Sequence, residues 1–213
     1  MRFICCAVVA VTLCAGSTAF AGQDGAEREK TERVADVLTA VGARDGAHIA
    51  DLGSADGFYT LRIAKAVGPT GRAYAIDIAQ ASLDKLKARA GSDGISNIEI
   101  ILSEPADPKL PAGRLDAVLI RNAYHEMTEH RSVLKGVMSG LKPGGMLVVI
   151  EAIHDKLLTA SRDQQVKEHE IASDIVAAEL KEAGFEIVDR DEAFTRFTRP
   201  SAGGFWMIRA RRP

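Results

Sequence analysis

Apolar residues along this chain follow two rhythms that alternate. Short, mostly apolar runs at residues 49–52, 73–76, 98–102, 115–120 and 146–150 have the length of strands covered on both faces, interrupted only by Asp51, Glu99 and Asp116. Between these runs the apolar positions are spaced for helices. Residues 31–41 carry Val34, Val37, Leu38 and Val41 on one side, and 58–66 form a second amphipathic stretch. A third begins at Ala81 or Ser82, carries Leu83 and Leu86, and closes near Gly91; a fourth, 128–140, turns Val133, Leu134, Val137 and Met138 inward. Strand–helix alternation of this kind predicts a parallel, doubly wound α/β sheet, with all five strands mostly buried.

After residue 151 the rhythm loosens. Residues 152–172 are polar, hold His154 and His169, and show no steady period. A helix over 173–183 follows, stopped by Gly184, then a strand at 185–188 and, after Gly203-Gly204, a last strand at 205–210. No internal repeat or low-complexity tract is present.

Chemistry concentrates where the first run ends. Asp51 closes a strand, Gly53-Ser-Ala-Asp-Gly57 makes a glycine-rich turn, a helix follows, and the second strand runs into Asp77. Strand, glycine turn, helix, strand and acid make a Rossmann-type nucleoside pocket, in which Asp77 stands where a ribose-binding carboxylate is expected. A pyrophosphate coenzyme would rest on the bare N–H groups of the turn and the helix N-terminus. Asp51 and Asp56 at that mouth would repel phosphates and attract a ligand carrying ammonium and sulfonium charges.

The stretch Asp51-Leu-Gly-Ser-Ala-Asp-Gly57 resembles the D-x-G-x-G-x-G motif of class I S-adenosylmethionine-dependent methyltransferases, with Ala55 in place of the middle glycine. Leu115-Asp-Ala-Val-Leu-Ile120 with Arg121-Asn-Ala-Tyr-His-Glu126 resembles the family's fourth strand and following loop, and Leu141-Lys-Pro-Gly-Gly145 its turn into the fifth strand. The resemblance covers nearly the whole chain after about residue 30 and implies a seven-stranded Rossmann-like sheet, ordered 3-2-1-4-5-7-6 with strand seven antiparallel. S-adenosyl-L-methionine is the cofactor it implies. It assigns Asp51, Gly53, Ser54, Ala55 and Gly57 to the cofactor, with Asp77 and Ile78 beside the ribose, Glu104 near the adenine amine, and Asn122 next to the methyl group. Glu104 has a solvated loop acid as its rival reading, because Ser103-Glu-Pro-Ala-Asp-Pro108 departs from the family pattern.

Asn122 is followed by Ala123-Tyr124 rather than the Pro-Pro-Tyr of amine-specific relatives, which favours oxygen or carbon over nitrogen as the methyl acceptor. Tyr124, His125 and Glu126 are then the candidates to touch the acceptor, and His125 is the candidate general base; the rival role for His125 is simply to hold the loop. His154-Asp155 and His169-Glu170 match no metal-ligand spacing, so no metal is expected.

Length and charge set outer limits. At 213 residues the chain suits one domain with a sizeable core. Its net charge of -2 and 5% aromatic content, without a basic stripe, argue against nucleic acid as the main ligand. A small organic acceptor and a monomer or homodimer are expected instead. Arg2, the apolar run that follows, and Ala19-Phe-Ala21 read as a signal peptide over 1–21, cleaved after Ala21, or alternatively as an uncleaved anchor. Residues 22–30 read as a flexible lead-in and 31–213 as the methyltransferase-like domain. A cleaved leader implies a periplasmic or secreted location. Cys5, Cys6 and Cys14 all lie in the leader, leaving no cysteine in the domain for a disulfide, a metal or a nucleophile. Export would also separate the domain from the source of S-adenosylmethionine, so a non-catalytic nucleoside-binding module is the second reading. A nicotinamide oxidoreductase is the third.

Overall fold

The computed structural model describes residues 25–196 and 203–213. The expected signal peptide and its cleavage site lie outside the described residues. Among the described residues, no helix is long and apolar enough to cross a membrane.

Seven strands form one sheet: β1 (His48–Leu52), β2 (Arg72–Asp77), β3 (Ile98–Leu102), β4 (Leu115–Arg121), β5 (Leu141–Ile153), β6 (Glu186–Arg196) and β7 (Gly204–Arg211). Their order is β3-β2-β1-β4-β5-β7-β6. Neighbours from β3 to β5 are parallel, and β7 runs antiparallel to both β5 and β6. Order and orientation match the expectation. The middles of the central strands are mostly apolar because each must satisfy two faces. Ala50, Leu52, Val118, Ile120, Leu147 and Val149 point into one core, with Val133 and Leu134 of α5 (His130–Gly140) and Val176 and Leu180 of α7 (Ser173–Glu182). The alternate positions Ile49, Ala117, Leu119, Val148 and Ile150 point into the other. There they meet α2 (Val34–Ala40) and α3 (Phe58–Ala66). This is the period of two that a strand imposes. The helix α4 (Gln80–Ser92) covers β2 and β3 with Leu83 and Leu86.

Several expectations need correction. The helix expected over 31–41 is two, α1 (Gly25–Thr31) and α2, broken at Arg33, whose φ is 49°. The break turns Glu32 inward, where its buried carboxylate meets Arg28 at 2.5 Å, the Tyr59 hydroxyl at 2.8 Å and Arg121 at 3.1 Å. Arg28 also stacks on the Phe58 ring, opposite Arg62. Part of the expected flexible lead-in is therefore ordered helix. The third strand is only half buried, because the sheet order leaves β3 at an edge; Glu99 faces solvent and Leu102 is 44% exposed. β6 also extends well beyond 185–188.

Residues 152–172, which lack any period, are ordered through polar bonds instead. Ser161 and Gln164 form a reciprocal capping box at the start of α6 (Arg162–Lys167). Gln165, fully buried, donates to the carbonyls of Leu157 and Ala160 at 2.9 and 3.1 Å and accepts the Ala172 N–H at 2.7 Å. One side chain thus closes the segment onto itself. Gln165→Ala should lower the unfolding free energy by about 2 kcal/mol, the cost of stranding buried polar groups. It should also open residues 155–172 to limited proteolysis. Unchanged denaturant midpoints and protease resistance would show that the segment is held by something else.

Candidate functional site

The C-terminal ends of the parallel strands share one edge, and between β1 and β4 the chain order reverses. Such a switch point leaves a crevice because the two following loops diverge. Here the crevice is lined by the turn after β1 and the loop after β4. The N–H groups of Gly53 and Ser54 both donate to the Ile76 carbonyl, at 2.8 and 3.0 Å, which folds the turn back over β2. Gly53 and Gly57 have φ values of 84° and 78°, and neither has room for a side chain. A Cβ on Gly53 would lie 2.5 Å from the Ala123 Cβ, and one on Gly57 would lie 2.1 Å from Leu86 Cδ1. Ala55 also takes a left-handed φ, 45°, which explains why glycine is the usual residue there in the family it resembles.

Two carboxylates bracket this turn, and they are held differently. Asp77 is fastened by backbone: Oδ2 accepts the Ala55 N–H and Oδ1 the Ala79 N–H, both at 2.8 Å. Each oxygen keeps a lone pair with which to accept a further hydroxyl. Ile78, beside it, is 63% exposed and offers an apolar lip. Asp51 is buried and accepts the Thr60 hydroxyl proton at 2.6 Å. Burial raises its pKa to about 6 against the lowering effect of Thr60. Ser54 Oγ is the one buried side-chain polar atom among the described residues without a hydrogen-bond partner. A glycine cradle, an orphaned hydroxyl and two acids around one turn fit a nucleoside with a cationic tail.

On the other side of the crevice, Asn122 is exposed, has a φ of 51°, and donates its N–H to the Ile150 carbonyl at 2.8 Å. A short 3-10 turn, Tyr124–Glu126, follows. Glu151, fully buried on β5, organises it. Its Oε1 accepts the Tyr124 N–H at 2.5 Å, and its Oε2 lies 2.8 Å from His125 Nδ1. An Nδ1–H donating to that carboxylate leaves Nε2 with a lone pair. Burial pushes the His125 pKa down, but the hydrogen bond and charge of Glu151 more than reverse this and raise it.

The other candidates are placed less centrally. Tyr124, expected against the acceptor, is wholly buried instead, and its hydroxyl donates to Glu179 on α7 at 2.8 Å. Burial, then Glu179, raises its pKa, so it anchors a helix and stays protonated. Glu104 joins a tight turn with Asp107 and pairs with Lys109 at 2.7 Å. His154 binds Glu170 through its ring and its backbone N–H. His169 instead faces His125, edge to face at 5.8 Å between ring centroids.

Sequence reasoning missed Thr60 and Glu151. Glu151 carried a usable signal, since it is a charged residue directly after an apolar run. Thr60 carried none.

The buried acid has a thermodynamic signature. With a folded pKa of about 6 against 3.8 in the unfolded chain, the folded state holds the extra proton between those values. The contribution of Asp51 to stability is therefore largest below pH ~4 and is lost as pH rises through about 6, by about 3 kcal/mol at most. Asp51→Asn keeps the Thr60 bond and removes the charge, so without ligand it should be more stable than the parent at pH 8 and no more stable at pH 4. Denaturant unfolding at both pH values checks this; a variant less stable at pH 8 would refute the burial argument.

Residues 43–192 match the family described as a methyltransferase domain. The demethylmenaquinone methyltransferase of Lactococcus lactis is 29% identical over 123 residues, which are 58% of this chain and 49% of that protein. The ubiquinone/menaquinone biosynthesis C-methyltransferase UbiE of Ectopseudomonas mendocina is 26% identical over 163 residues, covering 63% of this chain and 64% of that protein. The chain thus spans about half to just under two thirds of the length of these curated relatives. Among solved structures, a SAM-dependent methyltransferase from Aquifex aeolicus superposes with a TM-score of 0.73 at 21% identity, covering 90% of this chain and all of that one, and so shares the fold. With a family match over most of its length and the strand order of that fold, the chain belongs to the class I S-adenosylmethionine-dependent methyltransferases.

Proposed function

We propose that this domain methylates the oxygen or an adjacent carbon of a small organic acceptor bearing an acidic hydroxyl, a phenol or enol. Bound S-adenosylmethionine supplies a methyl group already activated by the sulfonium charge. The chain's own residues must then hold that cofactor, aim the acceptor and take up one proton. In this reading Asp77 accepts the ribose hydroxyls, Asp51 attracts the cofactor's positive tail, and Asn122 borders the methyl group.

The observation that carries the reading is the pairing of His125 with Glu151. A buried carboxylate on Nδ1 orients the imidazole and leaves Nε2 as the proton acceptor. Loss of a proton from a phenol makes both its oxygen and the neighbouring ring carbon nucleophilic; after methylation at carbon the ring C–H proton passes to the oxygen by tautomerisation, so either product releases one net proton to the same base. The name of the UbiE relative, a C-methyltransferase, supports carbon. The exported location expected from the leader belongs to this proposal, and the mass of the mature chain with cell fractionation tests it.

Isothermal titration with S-adenosylmethionine tests the cofactor half. Asp51→Asn and Asp77→Asn should each weaken binding about tenfold or more, ~1.4 kcal/mol. NAD and ATP should bind neither variant nor parent. For Asp51→Asn the affinity and the ligand-free stability move in opposite directions, which a misfolded variant cannot imitate. Tight binding of NAD would overturn the assignment.

Turnover tests the other half, using cofactor labelled in the methyl group and a panel of small phenols and hydroquinones. His125→Gln should lower the rate by about 10²-fold or more while leaving cofactor affinity intact. Glu151→Gln should lower it less. Parental turnover by His125→Gln would eliminate the base.

A further inference from the structure

The unused side of His125 faces a second cluster. Its Nε2 lies 3.8 Å from Glu126 Oε1, and the same carboxylate oxygen lies 4.0 Å from Nδ1 of His169. One ligand atom from each of the three residues falls within 4.8 Å of the others, the one such group among the described residues. These separations are too long for hydrogen bonds. They are close to the ~3.4 Å spacing of neighbouring ligand atoms around a tetrahedral ion with bonds of about 2.0–2.1 Å. Glu126 and His169 are both exposed and free to close the remaining gap by side-chain rotation.

Two further features distinguish this cluster from a chance meeting of surface groups. His125 is the rigid member: it is buried, and its other ring nitrogen is held by the fully buried Glu151 at 2.8 Å. A carboxylate behind a histidine, fixing its tautomer and aiming its lone pair, is the outer shell that metal-binding histidines recurrently use. His169, for its part, follows α6 in the left-handed region, with a φ of 58°. Its N–H bonds back to the Val166 carbonyl at 3.0 Å, and that of Glu170 to Gln165 at 3.1 Å. This is a helix-terminating position at which glycine is the low-strain residue. The chain places an imidazole there instead, edge to face with His125.

We propose that His125, Glu126 and His169 form a binding site for one divalent transition-metal ion at the acceptor end of the cleft. Two imidazoles and a carboxylate suit Zn²⁺, Co²⁺ or Ni²⁺ better than Mg²⁺ or Ca²⁺, which prefer oxygen. Three protein ligands leave a coordination position for a water or an acceptor oxygen. The site changes the expectation from sequence spacing, in which His154 and His169 were the metal candidates to be dismissed; His154 is taken by Glu170, and His169 turns to His125. An ion on Nε2 also occupies the lone pair that the proposed base requires, so the loaded protein should be slower in the reaction described above.

The test uses full-length protein without a histidine tag, stripped with chelator and titrated with Co²⁺ and with Zn²⁺. One equivalent of Co²⁺ should bind with visible d–d absorption, and Zn²⁺ should displace it. His169→Gly removes a ligand while relieving the backbone, so it should fold at least as well as the parent and bind metal at least tenfold more weakly. Glu126→Gln should do the same, Glu151→Gln should weaken binding 10–100-fold, and His154→Gln should bind as the parent does. No saturable binding at one equivalent, or parental affinity in both His169→Gly and Glu126→Gln, overturns the site. Binding is read without turnover, so its failure is separate from failure of the proposed reaction. If Zn²⁺ accelerates turnover, the site stands and the assignment of His125 as base falls.

Discussion

At the base of the crevice the turn after β1 meets the loop after β4 so closely that no side chain fits at position 53. Gly53 packs against Ala123 at the point where the sheet reverses direction, and that contact sets the width of the crevice. The hydrogen bonds of Gly53 and Ser54 to Ile76 then hang the turn over β2, and Asp77 ties it down through the Ala55 N–H. The acids, the orphaned Ser54 hydroxyl and the Asn122 loop are placed by this single close approach. A methyl group at position 53 would shift all of them together.

Burial of Asp51 trades stability for charge. A carboxylate without a cationic partner in a dry site raises the free energy of the fold, and a ligand that brings positive charge recovers it. Sites of this kind are commonly less stable than their neutral substitutes. Glu151 follows a different logic, since both its oxygens already have partners, two backbone N–H groups on one and an imidazole on the other, before any ligand arrives. One acid is built to wait for a partner, the other to hold a neighbour still.

The fold was largely legible because its signals are local. Apolar runs and helical spacing located five parallel strands within a few residues, and the Asp51–Gly57 and Asp77 pattern located the cleft. What escaped depended on distant partners. Glu151 reads as the end of an apolar run, and its role appears only when residues 124 and 125 fold onto β5. Thr60 is an unremarkable helical residue until Asp51 is beneath it. Tyr124 looks like a site residue from its neighbours, yet Glu179, 55 positions along the chain, draws it into the core. The break at Arg33 is invisible in a run of good helix formers, since it exists to send Glu32 toward Tyr59 and Arg121. Gln165 orders a segment without periodicity by hydrogen bonds to backbone, which a hydrophobic pattern cannot register.

The placement of β7 has a bearing on how the molecule comes into being. It succeeds β6 in the chain but lies between β6 and β5 in the sheet, so β6 has no partner of its own until β7 exists. During vectorial synthesis the half of the sheet bearing the cofactor turn can assemble early, while β6 must wait as an unpaired edge. Until β7 is seated, β5 and β6 both present open edges, the kind of surface on which strands of other chains pair.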